Sequence, residues 1–304
     1  MTKSKFYRDL VLSLVISDLI YALAVFVFVK IVRFFGASFL IYTIVTVVIG
    51  FLLFQTIIPI VILPLFHKLT PLEEGELKTA IEDLAKRNGF PTSRLLVIDG
   101  STTSTHANAF FLGLPWNKQI VLYDTLIQKF PTSEIIAVLA HELGHWKLGH
   151  VLQVNIHIWL ILAINFAFFS AFFDNSSLVK AFGFANPSPA INFVLFTYLT
   201  WPLDTFNSIS RNFMVRRNEF QADNYAKEQG YKDEIASGLI RLNSESLDVL
   251  YTDWLYSICN SSHPSLVERL VAIGYQPKQK VRKRGLEVTK EEDEKGDIEE
   301  REIL

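Results

Sequence analysis

The chain has 304 residues, 29 Lys and Arg against 31 Asp and Glu, and a single cysteine, Cys259. A formal net charge of −2 excludes a strongly basic nucleic-acid binder, and one cysteine excludes an intramolecular disulfide framework. Half of the residues are hydrophobic, and 17 of the 60 charges crowd into 278–302, which leaves the remainder only about 15% charged. That distribution indicates an integral membrane protein.

Read in chain order, the first elements are apolar. About twenty apolar residues cross the hydrocarbon core as a helix. Residues 10–29 meet this with Asp18 as their one charge, and 36–66 carry none, with Gly50, Pro59 and Pro64 placed to kink or end the segment. Residues 151–173 are a third charge-free stretch, and 190–203 a shorter fourth, either a span or a buried or re-entrant helix. Lys3, Lys5 and Arg8 followed by Ala22-Leu23-Ala24 imitate a signal peptide, but the apolar run continues past that site and a second follows at once, so a retained hairpin is expected. Asp18 is either functional or turned toward other helices or water. The basic residues before the first span place the N-terminus in the cytosol and, with four spans, the regions 67–150 and beyond 204 with it.

Between the second and third stretches the pattern is α+β. Leu72, Leu77, Ala80, Ile81 and Leu84 predict a helix over 71–88 with Gly89 as its stop, and strands are expected at 94–99, 108–112 and 119–123, the last two separated by Gly113 and Pro115. The organisation expected is 1–66 as two membrane helices, 67–150 as an α+β catalytic region, 151–209 as two further membrane helices, 210–275 as a second catalytic segment, and 276–304 as a charged, disordered tail.

The chemistry concentrates in His141-Glu142-Leu143-Gly144-His145. Ile135, Ile136, Val138 and Leu139 make the preceding residues an amphipathic helix, for which Thr132 and Ser133 offer caps. Histidines four apart project from one helix face and can both ligate zinc, while Glu142 leans toward the open coordination position, where it can take a proton from water. The alternative is a helix whose histidines merely pair with polar neighbours. A second half favours zinc: Glu219 and Asp223 are again four apart, Glu219 suited as third ligand and Asp223 as the carboxylate that orients a ligand imidazole. Alone, that pair reads as an ordinary solvated helix face.

The run 141–146, the run Asn218-Glu219-Phe220-Gln221-Ala222-Asp223 and the run Ser262-His263-Pro264-Ser265-Leu266-Val267-Glu268-Arg269 resemble the type I CAAX prenyl endopeptidases, membrane zinc metalloproteases of the endoplasmic reticulum. So do Leu69-Thr70-Pro71-Leu72-Glu73-Glu74-Gly75, Ser104-Thr105-His106-Ala107-Asn108-Ala109-Phe110-Phe111 and Ile120-Val121-Leu122-Tyr123-Asp124-Thr125-Leu126. The resemblance implies a mostly α integral membrane protein: a multi-span helical barrel with a small α+β zinc-metalloprotease region, its active site at the cytosolic end. It implies one Zn2+ per chain held by His141, His145 and Glu219, with Glu142 as base and Asp223 in a second acidic role, sometimes described as proton donor. The implied partners are membrane lipid and prenylated CAAX proteins, which lose their last three residues; fungal members also make a second cut in a pheromone precursor. Two departures stand out. Family members have seven spans against the four counted, the difference being N-terminal, so the chain is expected to be N-terminally shortened. Ser265 also stands where the family has a second proline.

Other residues are weaker candidates. His263 can donate to an oxyanion or simply open a helix. Arg269 can neutralise a substrate carboxylate or pair with Glu268 or Asp223. Asn108, Ala109 and Phe110 can form an edge strand that receives substrate by strand addition, or be no more than a short strand. His150, about 140° round a continuous helix from His145, is expected to face elsewhere. His67, His106 and His157 lack ligand spacing. A membrane quality-control metalloprotease and a non-catalytic scaffold remain as alternative functions.

Overall fold

A computed structural model describes residues 2–57, 61–104, 106–114, 117–172, 175–185, 189–246, 249–250 and 252–276. The charged tail beyond Gln276, Pro59 and Pro115 lie outside the described residues. Every helix and strand described belongs to the unit Met1–Ile273.

The apolar stretches are helices. Among the described residues, α1 (Lys3–Phe35) and α7 (His150–Phe172) are long and apolar enough to cross a membrane, and α2 (Phe39–Ile57) contains a shorter apolar stretch, Ile41–Phe54. Gly50 lies inside α2 without ending it, because a lone glycine costs a helix only about 1 kcal/mol. Pro64 opens the short α3 (Leu63–Phe66), where its missing N–H forfeits no bond. Leu14, Leu19, Leu23 and Phe26 of α1 and Leu152, Ile156 and Leu160 of α7 point outward, as does Asp18. Apolar exposure on that scale calls for lipid or further apolar helices as its surroundings.

The fourth stretch differs from expectation. Residues 190–203 begin α9 (Pro189–Glu228), which runs on through Pro202 and Asp204 for 40 residues, about 60 Å. The division at 209/210 therefore falls inside one helix, and the apolar segment and the 218–223 motif share a rigid element. α2 packs on α1 and α7, and α7 on α9, where His157 Nε2 lies 2.8 Å from Asn207 Oδ1.

A four-stranded sheet stands beside these helices in the order β1 (Leu69–Pro71), β2 (Thr92–Ile98), β4 (Asn117–Tyr123), β3 (Ala109–Leu114). β2 and β4 are parallel; the outer pairs are antiparallel. Pro71 pairs with Leu96 in β1, so the helix expected from 71 starts later, as α4 (Glu76–Asn88). Gly89 stops α4 as expected, in a left-handed conformation (φ 66°) with its N–H on the Ala85 and Lys86 carbonyls.

After α5 (Asp124–Lys129) the chain enters α6 (Thr132–Lys147), the centre of the core. Neither Thr132 nor Ser133 caps it; Pro131 occupies that position, and Glu134 in the first turn accepts from Ser237 Oγ (2.9 Å) and Arg241 Nε (2.8 Å) of α10 (Lys232–Ser246). Ile135, Ile136, Leu139 and Leu143 of α6 are buried with Ile81 and Leu84 of α4, Ile120 and Leu122 of β4, and Ile235 and Leu239 of α10. Helices α8 (Ser176–Ala181), α11 (Trp254–Asn260) and α12 (Leu266–Ile273) complete the described fold, the last two packed on α9.

Gly144 lets α6 and α9 meet. A Cβ there would lie 3.0 Å from Ala222 Cα and 3.0 Å from Tyr225 Cβ, one of those neighbours being backbone. Gly144→Ala is expected to destabilise the fold by about 1–3 kcal/mol through overpacking, read as a lowered thermal midpoint in detergent. An unchanged midpoint would show that the contact is not tight.

Candidate metal centre

α6 presents His141 and His145 from one face, and α9 brings Glu219 against them. Two histidine nitrogens and a carboxylate oxygen, one ligand atom from each residue, lie within 4.8 Å of one another. His141 Nε2 and His145 Nε2 are 3.1 Å apart, His145 Nε2 and Glu219 Oε1 3.4 Å, and His141 Nε2 and Glu219 Oε2 3.6 Å. Tetrahedral ligands at zinc distances are separated by about 3.3 Å, so these atoms suit one zinc. Charge agrees with geometry. Glu219 and Asp223 bring two carboxylates against the single guanidinium of Arg269, with Glu142 beside them, an acidic pocket that favours a cation.

Asp223 stands behind His141. Its Oδ1 lies 2.9 Å from His141 Nδ1, and Arg269 clamps the same carboxylate through Nε (2.7 Å) and Nη2 (2.6 Å). An acceptor at Nδ1 leaves the Nε2 lone pair free for the metal. Of the two roles open to Arg269, the structure shows the pairing one: the guanidinium is engaged by Asp223, with Nη1 3.5 Å from Glu219 Oε2.

The carboxylates divide by surroundings. Burial works to raise both Glu219 and Asp223, yet the His145 contact with the His141 and Arg269 charges pushes Glu219 down to about 2, and Arg269 and His141 hold Asp223 below its usual range. Glu142 goes the other way: burial raises its carboxyl, and the neighbouring histidines only partly oppose this. Two carboxylates are thus held as anions while the third is shifted toward easier protonation, the kind of separation expected between supporting carboxylates and a base.

His263 reaches the rim, exposed, with Nε2 3.7 Å from Glu219 Oε1. Its loop is held by Arg216, which lies two residues before the 218–223 run and to which the sequence assigned no role. Buried, Arg216 donates to Ser257 Oγ (2.6 Å), to the His263 carbonyl (3.0 Å) and to Glu268 Oε1 (2.6 Å). Glu268 Oε2 in turn accepts from the Ser265 N–H at 2.7 Å, opening α12 with a reciprocal cap. A proline at 265 would lack that N–H. Asn108 is exposed just before β3, Ala109 is buried and Phe110 half-buried; β3 is a sheet edge lying against α6.

His150 overturns its expectation. α6 ends at Lys147, and a turn through Gly149 (φ 68°) restarts the chain as α7, so the continuous-helix angle does not apply. His150 is buried, with Nδ1 2.9 Å from His145 Nδ1 and Nε2 3.1 Å from Gln221 Oε1. The signal was Gly149, a helix stop two residues past Lys147. His67 instead faces Asp99 at 3.2 Å, and His106 is exposed.

Fold and site together define a membrane protein with a metallopeptidase-type centre. Residues 71–276 match the family model of Peptidase family M48, and 1–68 match that described as CAAX prenyl protease N-terminal, five membrane helices. The chain belongs to Peptidase family M48. It is 44% identical over 271 residues to the probable CAAX prenyl protease 1 of Schizosaccharomyces pombe, covering 89% of this chain and 57% of that protein. It is 39% identical over 296 residues to CAAX prenyl protease 1 of Saccharomyces cerevisiae, covering 92% of this chain and 65% of that one. The crystal structure of S. mikatae Ste24p aligns with a TM-score of 0.83 and 41% identity over 90% of this chain and 67% of the other. The chain thus spans a little under two thirds of the length of these two curated yeast relatives.

If His141, His145 and Glu219 are the ligands, purified protein is expected to hold about one zinc per chain, and Glu219→Ala to lose most of it. Elemental analysis checks this. Undiminished zinc in the variant would overturn the assignment.

Proposed function

We propose that this chain is a zinc-dependent membrane endopeptidase that removes the C-terminal tripeptide from prenylated CAAX proteins. The observation that carries the reading is the convergence of His141, His145 and Glu219 beside Glu142. The names of the two yeast relatives add the substrate class.

A bound zinc would polarise the scissile carbonyl and lower the pKa of water at the site. The protein's own groups do the rest. Glu142, raised by burial, accepts the proton of the attacking water and passes it to the leaving amine. His263, exposed at the rim, donates to the developing oxyanion. Asp223 is held in place by Arg269 and keeps His141 oriented. Substrate backbone pairs along the outer edge of β3 at Asn108, Ala109 and Phe110, a mode that reads main chain more than side chains. The same mode accommodates a second cut in a lipidated, pheromone-type precursor.

Contacts at the start of α1 support a cytosolic placement of the active site. Lys5 Nζ donates to Thr102 Oγ1 (2.5 Å) beside the sheet, and Arg8 Nη2 to the Leu65 carbonyl (3.1 Å). These contacts favour a basic N-terminus and a catalytic region on one side, and the positive-inside rule supports reading that side as the cytosolic face of the endoplasmic reticulum membrane.

Glu142→Gln keeps the side chain's shape but not its basicity. Zinc should stay bound while cleavage falls by about two orders of magnitude or more; near-normal turnover would move the base elsewhere. The substrate is tested separately in liposomes. Each buried methylene contributes about 0.8 kcal/mol, so a farnesylated CAAX peptide should be cut much faster than its unprenylated copy. Equal rates would discard the lipid specificity and leave general membrane proteolysis.

A further inference from the structure

The two ligand histidines are backed differently. Asp223 backs His141 directly, whereas His145 Nδ1 faces another imidazole, His150 Nδ1, at 2.9 Å. Two ring nitrogens at that distance share one proton, one donating and the other accepting. The far side of His150 decides which. Its Nε2 lies 3.1 Å from Gln221 Oε1, and an amide oxygen only accepts. His150 therefore carries its proton on Nε2, its Nδ1 offers a lone pair, and His145 Nδ1–H donates to it. That leaves the His145 Nε2 lone pair facing His141 Nε2 (3.1 Å) and Glu219 Oε1 (3.4 Å). The reverse order would place a proton in that gap and close it to a cation.

We infer that His150 and Gln221 are positioning residues: a two-step relay, acting through His145, that fixes the imidazole in its metal-binding tautomer. The inference rests on the reading of His141, His145 and Glu219 as zinc ligands. It also gives the second motif a fuller content, since Glu219 is a ligand while Gln221 and Asp223 each hold one ligand histidine in form. His150 reaches the relay only because Gly149 breaks the helix; it is buried there, with its ring turned back over His145. Supports of this kind affect metal affinity by about 10–100-fold when removed.

The test is zinc affinity by chelator competition on the full chain in detergent, alongside the thermal midpoint of each zinc-free protein. His150→Phe keeps a ring but no acceptor and should bind zinc about 10–100-fold more weakly. His150→Asn, whose amide oxygen can occupy the place of Nδ1, should recover most of that loss. Gln221→Met, without an acceptor, should weaken binding, and Gln221→Glu should not. This second pair decides the matter if the His150 variants fail to fold. Wild-type protein that holds no zinc would sink the ligand assignment itself. Zinc held equally well by wild type, His150→Phe and Gln221→Met would overturn the relay and leave the ligands standing. Equal losses in His150→Phe and His150→Asn, with zinc-free midpoints lowered together, would overturn it too by assigning His150 to packing.

Discussion

The contact between α6 and α9 at Gly144 governs the site. The histidines ride on one helix and Glu219 on the other, and His145 and Glu219 are 74 residues apart in the sequence. Their separation is set where Gly144 meets Ala222 and Tyr225, in the turns that carry His141, His145, Glu219 and Asp223. A glycine between the ligand histidines is thus a spacing device: it lets the backbones approach until imidazole and carboxylate atoms converge. The surrounding burial of Ile135, Leu139 and Leu143 keeps α6 from sliding.

Electrostatics then makes a crowded acidic cluster tolerable. Glu219 and Asp223 are buried, and unpaired burial of charge is costly. Arg269 relieves Asp223 through two hydrogen bonds and lies near Glu219, and the residual negative charge favours a cation. Arg216 performs a parallel task one turn earlier on α9, tying α11, the His263 loop and α12 to the same helix. α9 therefore both carries Glu219 and is the post to which the rim is fastened.

Short-range patterns were legible in the sequence. The spacing of His141 and His145, and of Glu219 and Asp223, put side chains that the fold brings together on single helix faces, and Gly89 marked its helix end. Features that depend on where one element yields to another were harder to read. His150 was misplaced because 100° per residue holds only while a helix continues, and Gly149 ends it. Pro71 was assigned to a helix because its strand partner, Leu96, is distant in sequence and β1 is too short to show alternation. The apolar run ending at Leu203 was cut from the 218–223 motif because hydropathy changes at Asp204 although the backbone does not. Arg216 was passed over because its partners Ser257 and Glu268 come together only in the fold.

The continuity of α9 has a mechanical consequence. Glu219 stands sixteen residues beyond Leu203, about 24 Å along the axis, so with α9 held against α6 at Ala222 a tilt of about 5° moves the apolar end by about 2 Å while the carboxylate stays near the pivot. Helices tilt to match the hydrocarbon thickness around them. A displacement of that size is taken up at the apolar end, so α9 can follow the thickness of the bilayer around it while Glu219 keeps its place beside the histidines.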